Sequence, residues 1–279
     1  ATTPADVDAQ EQIATNAVTS TTGNKDQADQ DLADAKDLAA SDLATDQTAA
    51  QTAVDQAISD INDNIDRIND DIADLTDIAT NNPNDTTIAD KLADAKQQLA
   101  DAQDALSTAT DQKAVIENAD TPAEVTAAQD KATEAATAGD TAQAAADKDV
   151  TDAQTQSDKN LADAKTAAKE SLQDNVDAIT DDVKSITDIV DQLQEVADNN
   201  PNDQDIADKL ADAQQQLTDA QDALTDAQNQ LNTVDDATTL ADVQDQVDAG
   251  ASSLAVSAVV NCSLASANLS AITVLSGLS

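Results

Sequence analysis

The side chains of this sequence able to do chemistry are 56 carboxylates, 13 Lys and Arg, and one thiol, Cys262. Histidine is absent, so there is no imidazole base, no imidazole metal ligand and no switch near neutral pH. A lone cysteine cannot close an intramolecular disulfide, and its ordinary role is that of a small hydrophobe. It lies in Asn261-Cys262-Ser263, which with Asn268-Leu269-Ser270 and Asn84-Asp85-Thr86 fits the acceptor pattern for N-glycosylation. The carboxylates lack the glycine and ligand spacing of a calcium-binding loop. Calcium bridging of surface carboxylates, centred on the Asn-Asn-Pro-Asn-Asp turns, is the one cation role the composition suggests. No residue is expected to be catalytic and no cofactor is expected, so the chain reads as a non-enzyme.

The elements that must carry these groups are written in an unusual alphabet. The chain has 279 residues, a net charge of −43 and no Phe, Trp, Tyr or Met. Nucleic acid is excluded as a partner, because such a chain repels phosphate and has no aromatic platform for bases. The 40% apolar share is largely alanine, and composition alone describes a disordered acidic polymer.

Pattern contradicts composition. The sequence repeats with a period of 118 residues: Asn81-Asn82-Pro83-Asn84-Asp85 returns as Asn199-Asn200-Pro201-Asn202-Asp203, and the segment from Lys91 to Leu106 returns from Lys209 to Leu224. The opening Thr2-Thr3-Pro4-Ala5-Asp6-Val7 returns as Asp120-Thr121-Pro122-Ala123-Glu124-Val125 and again as Thr238-Thr239-Leu240-Ala241-Asp242-Val243. The expected domains are therefore 1–119 and 120–237 as two helical repeats, 238–250 as the truncated start of a third, and 251–279 as an uncharged tail. Repeated units of this kind usually lean on one another to cover apolar surface.

Within each repeat, apolar residues recur at alternating spacings of three and four, as one sticky face of a helix requires. Val54, Ile58, Ile61, Ile65, Ile68, Ile72 and Leu75 form one run, matched by Leu172, Val176, Ile179, Val183, Ile186, Val190 and Leu193. Leu210, Ala213, Leu217, Ala220, Leu224 and Ala227 form another, in which large and small residues alternate as a close helix seam needs. Thr3-Pro4 and Thr121-Pro122 place a capping hydroxyl before a helix-opening proline, with Asp6 and Glu124 set to complete capping boxes. In the Asn-Asn-Pro-Asn-Asp turns, Asn82 and Asn200 are expected to cap, with Pro83 and Pro201 opening the next helix. Gly23, Gly139 and Gly250 are expected to mark helix ends or bends. The expected fold is all-α: an elongated antiparallel bundle of long coiled-coil-like helices, running about 24–79, 84–138, 140–198 and 202–249, after a shorter helix at 3–20. A string of three-helix units competes with it, depending on whether the joint at 119–122 bends the chain or turns it back.

Beyond Asp248 no residue is charged. So abrupt a change marks a different task. The stretch is too rich in Ser and Asn for a membrane span, and no basic flank fixes one. Leu254, Val256, Val259, Val260, Cys262, Leu264, Leu269, Ile272, Val274 and Leu275 are the candidate subunit contacts, by docking into a neighbouring copy. A tail folded onto its own helices is the alternative.

The phrases Lys91–Leu106 and Lys209–Leu224, with their Ala-Asp-Ala-Gln and Asp-Ala-Leu steps, resemble the helical-repeat stalks of bacterial secreted and cell-surface fibrous proteins. That resemblance implies a spacer, fibre or adhesion support. The expected function is a secreted structural subunit that self-assembles as a homo-polymer into an extracellular filament or surface layer, with the acidic helices as body and the neutral tail as joint. The alternative is an acidic helical stalk or adhesin that binds a surface, a divalent cation or a host molecule. Opening at Ala1, the sequence is expected to be extracellular or on the cell surface after removal of a signal peptide.

Overall fold

The structure, a computed structural model, describes residues 3–276, with side chains up to Ser263. It is all-helical: α1 spans Pro4–Asn81, α2 Thr86–Glu117, α3 Pro122–Asn199, α4 Gln204–Thr233 and α5 Leu240–Ser276, with a 3-10 turn at Val234–Asp236 before α5. No strand occurs among the described residues.

Helix starts follow local chemistry. Thr3 and Asp6 form a reciprocal box at the head of α1, where the Thr3 amide donates to Asp6 Oδ2 at 2.9 Å and the Asp6 amide donates to Thr3 Oγ1 at 3.4 Å. Thr121 with Glu124 opens α3 in the same way, and Thr239 with Asp242 opens α5. The Asn-Asn-Pro-Asn-Asp turns depart from expectation. Asp85 and Asp203 are the caps, accepting from the amides of Ile88 and Ile206 at 3.2 Å, while Pro83 and Pro201 stay in the turn. Asn82 instead donates to Ile78 O and to Ser157 Oγ. An aspartate just before the helix outcompetes an asparagine three residues earlier because its anionic oxygen meets the open amides of the first turn.

The glycines do not break helices. α1, α3 and α5 run through Gly23, Gly139 and Gly250 without interruption and with no positive φ, so no separate leading helix exists at 3–20. Two of these glycines serve close approach: a Cβ on Gly139 would lie 3.2 Å from Ile61 Cγ1, and one on Gly250 would lie 2.2 Å from Leu172 Cδ2. The expected long helix over 84–138 is also interrupted. α2 ends at Glu117, and the chain turns back into α3. The side-chain amide of Gln47 spans this reversal, donating to Ile116 O at 3.1 Å and Ala119 O at 3.0 Å.

The chain forms two compact units, one from the stretch up to Ala73 with Ala93–Asp149, the other from Asp74–Leu92 with the stretch from Val150 onward. In the first, α1, α2 and the opening of α3 share a core of Val54, Ile61, Ala109, Ile116, Val125 and Ala132, continued by Ile68, Ala102, Ala142 and Ala146. α2 returns antiparallel to α1, and α3 then runs in the direction of α1, as the contacts of Gln47 with Ala119 and Asn64 with Asp140 require. In the second, the remainder of α3 packs with α4 and α5 through Leu172, Val234 and Val243, through Ile179 and Ala227, and through Ile186, Ala213, Ala220 and Val260. Each buried Ile or Leu contributes about 1.5–3 kcal/mol, and the facing alanines let helix axes approach to about 8 Å. That combination folds a chain without aromatic residues.

Candidate functional site

The polar groups buried in these cores are helix-to-helix locks. Asn64, only 6% exposed, donates to Asp140 Oδ1 at 2.8 Å. In the second unit Ser257, fully buried, donates to Asp182 Oδ2 at 2.9 Å, and Asn261 donates to Asp182 Oδ1 at 2.6 Å. Sequence reading missed both locks, because Asn and Asp also crowd the solvated faces and nothing local distinguishes these copies.

The turn at Asn82–Asp85 is similarly engaged. Asp85 accepts from Asn160 Nδ2 at 2.7 Å, from Gln156 Nε2 at 3.1 Å and from the amides of Thr87 and Ile88. These donors, Asn160 foremost, hold its carboxyl below the usual carboxylate range. Its oxygens are thus occupied by neutral donors of the chain itself. Among the described residues no group of three or more acidic or thiol side chains is placed to hold a metal ion, and no helix is long and apolar enough to cross a membrane. Asn84 of one acceptor sequence is exposed in the turn, whereas the amide of Asn261 is spent on Asp182.

The neutral stretch is helical, as the forward part of α5. Of the candidate contacts, Leu254 packs with Val176, Ile179 and Ala227, and Val260 with Ile186 and Ala213, inside the chain's own second unit. Val256 and Val259 point away from that core, 50% and 70% exposed, and Cys262 is exposed one turn beyond Val259. The side chains of Leu264, Leu269, Ile272, Val274 and Leu275 lie outside the described residues.

A second apolar surface was not among the candidates. Every residue from Thr3 to Asp42 is exposed, although this length of α1 carries Val7, Ile13, Val18, Leu32 and Leu38. Val7, Ala14, Ala28 and Ala35 stand 118 residues before Val125, Ala132, Ala146 and Ala153 of α3, all of which are buried. The groove between α4 and α5, lined by Ala223, Ala249, Ser252 and Val256, also presents the carboxylates of Asp219, Asp222 and Asp226. Compared with family models, curated proteins and solved structures, the chain matches none.

Proposed function

We propose that the chain is a secreted structural subunit that self-assembles into an extracellular filament or surface layer, with an acidic helical body built on the 118-residue repeat and the neutral length of α5 at the joint. The observation that carries this reading is the outward placement of Val256 and Val259 on a stretch without charge, in a molecule whose remaining surface is strongly acidic. Apolar side chains shown together on an uncharged length of helix favour association, while like charge elsewhere discourages random contacts. Association through unlike faces of identical copies propagates without closing, which is how a fibre grows.

Negative-stain electron microscopy of the purified chain tests the proposal, paired with the double variant Val256→Asp/Val259→Asp. Both sites are exposed, so the variant keeps its helix content. Fibres or sheets from the wild type and isolated particles from the variant are the expected pair of images. Isolated particles from both, or polymers from both, overturn it.

A further inference from the structure

The acceptor patterns for N-linked sugar at Asn84, Asn261 and Asn268 are placed differently by the fold. Pro83 cannot continue α1 and Asp85 caps α2, so Asn84 is held in a short non-helical step between the two helices. Its side chain is exposed and makes no hydrogen bond among the described residues. Thr86, whose hydroxyl completes the pattern, is likewise exposed, and its hydroxyl is likewise unengaged. Between them Asp85 is turned toward α3, accepting from Asn160 Nδ2 at 2.7 Å and from Gln156 Nε2 at 3.1 Å. Its carboxylate therefore does not compete for the Asn84 amide.

Asn261-Cys262-Ser263 is the reverse case, lying inside α5. Asn261 donates to Asp182 Oδ1 at 2.6 Å, and Ser263 Oγ donates to Val260 O at 2.8 Å and to Gln216 Oε1 at 3.2 Å. A glycan on Asn261 would replace an amide hydrogen that the fold uses and would set a bulky group into the seam of α3 and α5. One on Asn84 leaves every hydrogen bond in place. The side chain of Asn268 lies outside the described residues. The turn 118 residues after the first supplies a natural contrast, since Asn202 is exposed there but Gln204 stands where the hydroxyl would be.

We infer that Asn84 is the attachment point of an N-linked glycan, transferred from a lipid-linked sugar diphosphate during export. In that step Nδ2 of Asn84 forms a bond to the anomeric carbon of the sugar as the bond from that carbon to the diphosphate oxygen breaks. The lipid diphosphate leaves with the electron pair, and one amide proton passes to a base of the transferase. The inference rests on the export reading above and adds a constraint to it. A bulky, hydrated sugar keeps the Asn82–Asp85 turn at the surface of an assembly and out of its joint.

Expression of the full chain behind a cleavable signal peptide in a glycosylating eukaryotic host tests the attachment point. The expected product carries sugar on Asn84, seen as a slower gel band that a peptide-N-glycosidase collapses and located by peptide mass spectrometry. Asn84→Gln loses that band, and Asn261→Gln keeps it. Gln204→Thr completes the acceptor pattern at the matching turn and adds a second glycan, on Asn202. Circular dichroism stays predominantly helical with and without the sugar. A bare Asn84 in the translocated chain, a glycan confined to Asn261 or Asn268, or loss of helix on modification overturns the inference. Because the added signal peptide supplies export, none of those results bears on the assembly reading. Electron microscopy of the glycosylated chain does: polymers support both, and isolated particles overturn assembly while leaving the attachment point standing.

Discussion

Ser257 of α5 and Asp182 of α3 are joined by a 2.9 Å hydrogen bond in a place where the serine has no exposure at all. In the first unit Asn64 of α1, 118 residues before Asp182 in the sequence, bonds Asp140 of α3 at 2.8 Å. Donor and acceptor have changed sides between the two locks. Each fixes the register of two helices whose seams, rich in alanine, would otherwise slide at little cost. Replacing Asp182 with Ala leaves Ser257 and Asn261 without their acceptor, and the expected loss is about 1–3 kcal/mol. Urea unfolding followed by circular dichroism measures it, and Ser257→Ala should restore part of the loss in the Asp182→Ala background.

One substitution, Gly to Ala, should give three different results along this chain. At Gly23 nothing lies within 4 Å of the new methyl, and removing glycine from an exposed helix interior stabilises by about 1 kcal/mol. At Gly139 the methyl meets Ile61 Cγ1 at 3.2 Å, so a small shift offsets that gain and the net change is close to zero. At Gly250 it would sit 2.2 Å from Leu172 Cδ2, inside a packed core. Overpacking there outweighs helix propensity, with a net loss of about 1–2 kcal/mol. Leu172→Val rescues the last case, because Ala132 and Val54 already occupy the corresponding places in the first unit's core. Thermal melts of the three single variants and the rescue pair check the order.

The long seams were legible in the sequence. Ile61, Ile68, Leu75, Leu172, Ile179, Ile186, Ala213, Ala220 and Ala227 all fall in runs with spacings of three and four, and all are buried. Prolines at 4 and 122 marked helix starts correctly, because a fixed φ and a missing amide suit the first turn and no other. The reversal at 118–121 was not decidable, since Thr-Pro reads equally as a kink or as a fresh start and the deciding contact comes from Gln47, over 70 residues away in sequence. Glycine misled for a related reason. A break and a close approach both call for a missing Cβ, and only the neighbour across the seam tells them apart. The state of the neutral stretch was hidden because small uncharged residues carry neither helical nor strand periodicity.

Acid should weaken the caps in a defined direction. The carboxyls of Asp6, Glu124 and Asp242 sit below their ordinary range, held there first by the backbone amides of Thr3, Asp120 and Thr238 respectively. A lowered value in the folded state means that the stabilisation is fully present above the unfolded value, about pH 4, and is lost as pH falls through the folded one. Relief of repulsion among the other carboxylates acts in the opposite sense, so the measurement is a difference. The stability gap between wild type and Asp242→Ala should be open at neutral pH and should narrow below about pH 4. A gap that is constant with pH would contradict the capping role.

Salt should raise the melting temperature, because −43 charges on 279 residues repel along every helix and are screened within about 3 Å at molar ionic strength against 10 Å at 0.1 M. The turn at Asp85 is filled by the chain's own donors, so at that turn calcium is expected to act only as sodium chloride of matched ionic strength does. A saturable excess effect of calcium at micromolar concentration, read by differential scanning calorimetry, would instead indicate a specific bridge.

All of this depends on narrow aliphatic seams being strong enough to order an acidic, aromatic-free chain. Far-ultraviolet circular dichroism of the full chain in saline buffer tests that directly. A predominantly helical spectrum that melts cooperatively, and is weakened by Ile179→Ala by about 2–5 kcal/mol, is the predicted result. A random-coil spectrum, at low or high salt, would contradict it.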